Sequence, residues 1–276
     1  MADLICPTKN TPDRLPLPPI PDNVTLAQFI LEGYHSFKPH RDDGRSPGLI
    51  EEKSGRMIGL EEVRGFFLRL EQQLTALLAT LKDSCIGVRS TFRIRNRRGR
   101  RCPNHVEYPV LVWAVHYLGA TVTLSNPNFT ADELSYHIRL TQPTLIIAHF
   151  SALQTAQLCV ARSANLGPTR VIALEPTLDG TPSIVDLIRS QKSKAGSMSF
   201  HGIRPREGLA NKVAALCLSS GTTGLPKVVR ITHRAFMANI IQMATHTRIG
   251  PGTPGLRPGD IALGRRFPFS THKFLD

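Results

Sequence analysis

The segment from residue 108 to residue 218 alternates between helical patterns and short apolar runs, and this alternation limits the possible folds. The apolar runs are Thr121–Leu124, Thr144–Ala148, Arg170–Leu174 and Val213–Leu218. Strands that are apolar without interruption are typical of parallel sheets, because both faces of such a sheet are covered. Helices between consecutive strands supply the crossovers and the cover. The pattern therefore predicts an α/β fold in which parallel sheets are flanked by helices.

Several of the helix ends carry recognisable signals. Thr130 and Glu133 have the spacing of a capping box, in which each residue accepts a hydrogen bond from the other's backbone. Phe129 and Leu134 are spaced for the hydrophobic contact that often accompanies such a start. Gly119 is placed to end the helix that begins near residue 108. We expect a helix to begin directly after Thr130.

The charge of the chain is unevenly distributed. Lys and Arg number 34 against 21 Asp and Glu, which gives a net charge of +13. Seven arginines lie close together: Arg89, Arg93, Arg95, Arg97, Arg98, Arg100 and Arg101. Such a cluster could neutralise nucleic-acid phosphates, but it contains one aromatic residue, Phe92, and no recognisable nucleic-acid-binding motif. We expect an adventitious basic loop, and nucleic-acid binding through Arg89–Arg101 is the alternative.

The cysteines and the termini favour a cytoplasmic protein. The five cysteines are scattered and form no C-x-x-C pair, which argues against a disulfide framework and a zinc site. No apolar run approaches the roughly 20 residues that span a bilayer. Residues 1–22 are polar and proline-rich, and we expect them to be disordered. The chain ends without a peroxisomal S-K-L signal, so a peroxisomal location stays open only for a longer form.

One short segment carries most of the chemical information. It follows an apolar strand and reads Ser219, Ser220, Gly221, Thr222, Thr223, Gly224, Leu225, Pro226 and Lys227. Glycines let successive backbone N–H groups converge on an anion, hydroxyls add donors or a ligand for Mg²⁺, and a lysine adds positive charge. The lysine follows Leu-Pro, so the spacing is not that of a P-loop. On composition alone, an ordinary polar hairpin turn is the alternative.

The order of these residues is more specific than their composition. The segment matches the pattern S/T-S/T-G-T/S-T-G-x-P-K throughout, and the sequence thereby resembles the adenylate-forming superfamily of acyl-CoA synthetases, 4-coumarate–CoA ligases and luciferases. Weaker flanking matches occur in the expected order at Pro103–Tyr108, Leu118–Ala120, Asn126–Leu134 and Thr232–Ala235. The resemblance extends roughly from Asn23 to Leu263.

The resemblance implies a reaction in two steps. A carboxylic acid attacks the α-phosphate of ATP, and a thiol, usually that of coenzyme A, then displaces AMP from the acyl-adenylate. The residues implied to contact the β- and γ-phosphates are Ser219, Ser220, Gly221, Thr222, Thr223, Gly224 and Lys227. One of Thr222 and Thr223 is implied to bind Mg²⁺, and no residue is identified as catalytic. His233 is either a structural residue at the start of a helix or a neighbour of the site.

The sequence also departs from the family. It contains no Y-G-x-T-E, R/K-T-G-D or P-x-x-x-G-K segment, which implies that the adenine, ribose and catalytic-lysine contacts are missing together with the small C-terminal domain. We therefore expect the N-terminal part of an acyl-CoA ligase with little turnover of its own. The alternative is a pseudo-enzyme that binds phosphate or nucleotide without chemistry. The acid substrate stays open.

The predicted organisation has three parts. Residues 1–22 form the proline-rich terminus, residues 23–264 form a partial AMP-binding domain, and residues 265–276 form an atypical tail. Within the domain, residues 88–101 form an arginine-rich insert that we expect to replace a core strand. We further expect the insert and the tail to result from frame disruption or faulty splicing. The loss of a sheet strand and of a covering domain predicts a protein that expresses poorly or aggregates.

Overall fold

The computed structural model describes residues 17–32, 47–51, 55–59, 62, 65, 70, 85–89, 108–125, 129–163, 170–189, 207–219 and 226–249. The strands are β1 Pro47–Ile50, β2 Met57–Gly59, β3 Cys85–Arg89, β4 Thr121–Leu124, β5 Leu145–Ala148, β6 Arg170–Ala173, β7 Val213–Ser219 and β8 Lys227–Thr232. The helices are α1 Leu26–Glu32, α2 Tyr108–Tyr117, α3 Ala131–Thr141, α4 Phe150–Ala161, α5 Ile184–Arg189 and α6 His233–Ile249.

A six-stranded sheet organises the molecule, with strand order β6-β5-β3-β4-β7-β8. Strands β3 to β7 are mutually parallel where they pair, and helices connect them, as the alternating pattern predicts. The exception is β8, which pairs with β7 in antiparallel orientation. Strand β8 lies outside residues 108–218, for which the sequence predicts parallel strands, and the segment between β7 and β8 is too short for the crossover that parallel pairing requires.

The expectation that the arginine-rich insert replaces a core strand is wrong. Cys85–Arg89 forms β3, which lies in the middle of the sheet and pairs in parallel with β4 and β5. The run from Cys85 to Val88 contains no charged residue, as expected for a strand covered on both faces. Val88 and Arg89, which the sequence assigns to the insert, are the last residues of this strand. Residues 90–101 lie outside the described residues.

The predicted helix signals are present in the structure. The Thr130 side chain accepts a hydrogen bond from the Glu133 backbone N–H at 3.2 Å, and the Glu133 carboxylate accepts one from the Thr130 N–H at 2.7 Å. Gly119 follows α2 with φ of 71°, the left-handed conformation that glycine adopts without strain. Helix α3 ends at Gln142, whose backbone is also left-handed. These predictions rested on local chemistry and are confirmed.

Residues near the N-terminus pack against the last described helix. Val24 and Phe29 lie in one buried cluster with Met237 and Ile241 of α6. Ile20 packs against this cluster. The backbone carbonyl of Asp22 accepts a hydrogen bond from the N–H of Ala210 at 2.8 Å. The packed part of the chain therefore begins before residue 23, within the segment predicted to be disordered, and residues 1–16 of that segment lie outside the described residues.

Another cluster of buried hydrophobic residues, larger than the one between α1 and α6, covers one face of the sheet. Helix α2 is buried along almost its whole length, and Val110, Leu111 and Val115 pack with Leu145 and Ile147 of β5. A second cluster, around Leu134 and Ile146, lies between the sheet and the pair α3 and α4. Within the described parts of the chain, no helix is long and apolar enough to cross a bilayer.

Candidate phosphate-binding site

The two ends of the glycine- and hydroxyl-rich segment lie side by side. Ser219, the last residue of β7, pairs with Lys227, the first residue of β8. Because β7 runs parallel to β4, Ser219 lies at the carboxyl edge of the parallel strands, where ligands bind in open α/β sheets. Lys227 is exposed and Ser219 is half-buried.

The predicted site residues between these two ends are Ser220, Gly221, Thr222, Thr223 and Gly224, and all of them lie outside the described residues. Their roles, including Mg²⁺ binding by Thr222 or Thr223, stay predictions. In the sequence, all five follow Ser219 and precede Lys227, the two residues whose pairing the structure shows.

A polar network lies at the carboxyl end of β4, next to β7. The hydroxyl of Thr123 donates to the carbonyl of Leu216 at 3.3 Å. It can then accept from His137 Nε2, which is 2.8 Å away, while His137 Nδ1 lies 2.7 Å from the hydroxyl of Ser125. With Thr123 donating to Leu216, the Nε2 atom of His137 carries the hydrogen of its contact with Thr123. The network connects α3 and β4 to β7.

The residue before His137 contacts the other end of the segment. The hydroxyl of Tyr136 donates a hydrogen bond to the carbonyl oxygen of Pro226 at 3.2 Å. The Arg139 guanidinium lies over the Tyr136 ring, 5.4 Å from its centroid, at a distance suited to a cation–π contact. Sequence reasoning missed Tyr136 and His137, since nothing local distinguishes them from other polar residues of an amphipathic helix.

His149 and Glu175 form a polar pair at the carboxyl ends of β5 and β6. His149 caps the start of α4, with Nδ1 accepting from the Ser151 backbone N–H at 3.3 Å. Its Nε2 lies 3.6 Å from a carboxylate oxygen of Glu175. The ring of His149 is buried, whereas Glu175 is partly exposed. The sequence analysis did not single out either residue, because the pairing joins two separate strand ends.

His233 has a structural position. Its Nδ1 accepts a hydrogen bond from the Leu26 backbone N–H at 3.1 Å, and its ring contacts that of His116 with 4.9 Å between centroids. His116 Nε2 donates to the carbonyl of Ala214 at 3.1 Å. Burial lowers the pKa of His116 to about 4. Burial, together with the charges of His116 and Lys212, lowers the pKa of His233 to about 2. Of the two alternatives for His233, these contacts favour the structural residue.

Two observations limit the chemistry of the described residues. Burial raises the pKa of the Cys217 thiol to about 11, so this cysteine stays protonated and is a poor nucleophile. Across the described segments, no group of three or more His, Cys, Asp or Glu side chains is placed to hold a metal ion.

A protein-family model and individual proteins named as CoA ligases both match this chain. The family model described as AMP-binding enzyme matches residues 99–264. Acyl-CoA ligase AFT1-1 of Alternaria alternata is 29% identical over 251 residues, which cover 87% of this chain and 41% of that protein. 4-Coumarate–CoA ligase 5 of Oryza sativa subsp. japonica is 26% identical over 230 residues, which cover 83% of this chain and 36% of that protein.

Solved structures share the fold. ATP-bound MatB from Rhodopseudomonas palustris superposes with a TM-score of 0.59 at 23% identity, covering 82% of this chain and 38% of that one. A natural red-emitting luciferase from Phrixothrix hirtus superposes with a TM-score of 0.63 at 19% identity, covering 83% of this chain and 40% of that one. The chain spans 36% to 41% of the length of these proteins.

Proposed function

Since this chain belongs to the AMP-binding enzyme family, we propose that the end of its β7–β8 hairpin binds the phosphates of ATP. The observation that supports the proposal is the pairing of Ser219 with Lys227 at the carboxyl edge of the sheet, because these two residues are the two ends of the segment. The proposal includes the loop residues Ser220, Gly221, Thr222, Thr223 and Gly224 together with the two paired ends.

The proposed role of the segment follows from its donors. Backbone N–H groups freed by glycines, together with the hydroxyls, would donate to phosphate oxygens, and Lys227 would add a charge-assisted hydrogen bond. Such donors stabilise the charge that develops on pyrophosphate when a carboxylate attacks the α-phosphate. In this reaction the chain's own residues bind and orient the polyphosphate, and the attacking group is the carboxylate of the acid substrate.

A divalent cation fits this donor set. Mg²⁺ prefers oxygen ligands and is commonly bound by few protein groups together with substrate phosphates. The hydroxyl of Thr222 or Thr223 would supply the protein ligand, between the paired ends Ser219 and Lys227. When bound, the ion would neutralise phosphate charge.

The wider activity is proposed from the relatives. Two of the matching proteins are named as an acyl-CoA ligase and a 4-coumarate–CoA ligase. We therefore propose ATP, a carboxylic acid and coenzyme A as the substrates of the ligase to which this chain corresponds.

Binding of tripolyphosphate and of MgATP tests the phosphate site. Lys227→Gln should weaken both affinities by roughly tenfold or more, because a hydrogen bond to a charged group contributes about 1.5–3 kcal/mol. Arg230→Gln is the matched control, since Arg230 is an exposed cation of the same strand. Equal losses in the two variants would indicate general electrostatic attraction and would contradict a specific role of Lys227. Isothermal titration calorimetry is the measurement.

The alternative function that we propose is a phosphate- or nucleotide-binding protein without chemistry. A binding protein without chemistry would bind MgATP in a Lys227-dependent manner and release no AMP. Release of AMP that requires both coenzyme A and an added carboxylic acid would instead show a working ligase. Liquid chromatography of reactions with a panel of aryl and fatty acids separates these two functions.

A further inference from the structure

Helix α3 is connected to both arms of the hairpin that carries the proposed phosphate site. Tyr136 donates directly to the carbonyl of Pro226, the residue before β8, whereas His137 reaches β7 indirectly, through Thr123 of β4. The two connections end on different backbone carbonyls. One is the carbonyl of Pro226, and the other is that of Leu216, which is reached through Thr123. Both arms of the hairpin are therefore held from the same helix.

The contact with β8 lies directly beside Lys227. The carbonyl of Pro226 and the N–H of Lys227 belong to one planar peptide unit, so a hydrogen bond to that oxygen fixes the orientation of the whole plane. Proline also restricts φ at residue 226. The hydroxyl of Tyr136 is the side-chain donor to this carbonyl, at 3.2 Å. The orientation of the backbone at Lys227 is thus determined partly by α3.

The contact with β7 precedes the other end of the segment. Leu216 pairs with Thr123 of β4 and lies upstream of Ser219 on the same strand. The hydrogen bond from the Thr123 hydroxyl to the Leu216 carbonyl is supported by His137, whose ring is buried and bonded to Ser125 as well. This arm is therefore held by buried polar groups, whereas Tyr136 is only half-buried.

We propose that Tyr136 is a positioning residue for the phosphate site, and that it acts through the peptide unit of Pro226 and Lys227. This inference rests on the proposed function. By fixing the plane before the ligand arrives, the hydroxyl of Tyr136 reduces the conformational freedom that Lys227 loses when it binds a polyphosphate. Tyr136 itself does not touch the phosphates.

The test compares two tyrosines. Tyr136→Phe removes the hydroxyl and keeps the ring under Arg139, and it should weaken tripolyphosphate binding roughly threefold to tenfold, the range expected for one neutral hydrogen bond. Tyr117→Phe is the matched control, because the Tyr117 hydroxyl donates to Glu32 at 2.7 Å, away from the hairpin, and the residue is more deeply buried. Tyr117→Phe should lower thermal stability without changing the affinity. Equal affinity losses in the two variants would overturn the inference.

A double-mutant cycle with Lys227→Gln distinguishes positioning from general support. If Tyr136 acts through Lys227, the effect of Tyr136→Phe should disappear in the Lys227→Gln background. Additive losses would show that Tyr136 acts elsewhere and would overturn the inference. If Lys227→Gln weakens binding tenfold and Tyr136→Phe changes nothing, the positioning role is wrong and the phosphate site stands. If the unaltered chain does not bind tripolyphosphate or MgATP, the proposed function fails and the positioning role with it.

Discussion

Two buried histidines show how much a single residue depends on its environment. His116 and His233 pack edge to face, and their hydrogen bonds connect β7 to α2 and α1 to α6. Each ring is less than 2% exposed. Burial disfavours the charged form of an imidazole, so both histidines stay neutral at physiological pH. The folded protein therefore takes up their protons at a lower pH than the unfolded chain does.

We predict that stability falls as the pH decreases from about 6.5 toward 4. The pKa of His116 is lowered to about 4 in the folded state, so only the unfolded chain binds this proton between these two pH values. The contribution is fully present above about pH 6.5, and its complete loss amounts to roughly 3 kcal/mol, since one pKa unit corresponds to about 1.4 kcal/mol. His233 extends the decline below pH 4.

Urea unfolding at several pH values measures this effect. In His116→Gln the free energy of unfolding should depend less steeply on pH between about 6.5 and 4 than in the unaltered chain. Above about pH 7, where His116 is neutral in both states, the difference between the two proteins should not change with pH. Parallel curves over the whole range would contradict the assignment to His116.

At the scale of one element, helix α3 combines a locally encoded start with contacts that depend on the fold. Its capping box involves residues three positions apart and was visible in the sequence. The hydrogen bonds from the Thr130 backbone and side chain also lower the pKa of the Glu133 carboxyl, which favours its charged form at the positive end of the helix. The start of α3 therefore defines where Tyr136 and His137 lie along the helix axis.

We predict that Thr130→Ala lowers the free energy of unfolding by about 1 kcal/mol, the usual cost of losing an N-cap hydroxyl. Thr130→Ser is the matched control, because it keeps the hydroxyl that accepts from the Glu133 N–H. Chemical denaturation at neutral pH is the measurement. If Thr130→Ser were as destabilising as Thr130→Ala, the lost methyl group and not the cap would explain the change.

At the scale of the whole molecule, the packing of α1 on α6 joins the beginning of the described chain to its end. Met237 is fully buried in the cluster that contains Phe29 of α1 and Ile241 of α6. The Leu26 N–H to His233 hydrogen bond spans the same contact. Since β8 continues directly into α6, this packing also supports the hairpin on which the proposed site lies.

We predict that Met237→Ala lowers the free energy of unfolding by about 2–5 kcal/mol, as expected for a large side chain removed from a core. Met243→Ala is the control on the same helix, because Met243 is 54% exposed, and it should change stability by no more than about 0.5 kcal/mol. Thermal unfolding followed by circular dichroism compares the two variants. Similar effects of both substitutions would contradict the buried position of Met237.

The sequence by itself determined the features that depend on neighbouring residues. The α/β alternation, the capping box of α3 and the position of the glycine-rich segment after a strand were all predicted correctly, because periodicity and cap chemistry act over a few residues. Family membership was also recognised from the ordered pattern that ends at Lys227. The roles of Ser220 to Gly224 stay predictions, because these residues lie outside the described part of the chain.

Only the tertiary structure decided which distant residues meet. The central position of β3 follows from its pairing with strands on both sides. The contact of Tyr136 with Pro226 joins residues 90 positions apart, and that of Leu26 with His233 joins residues 207 positions apart. Such pairs depend on strand order and register. These are determined by the burial of the whole sheet and are not encoded in any local pattern.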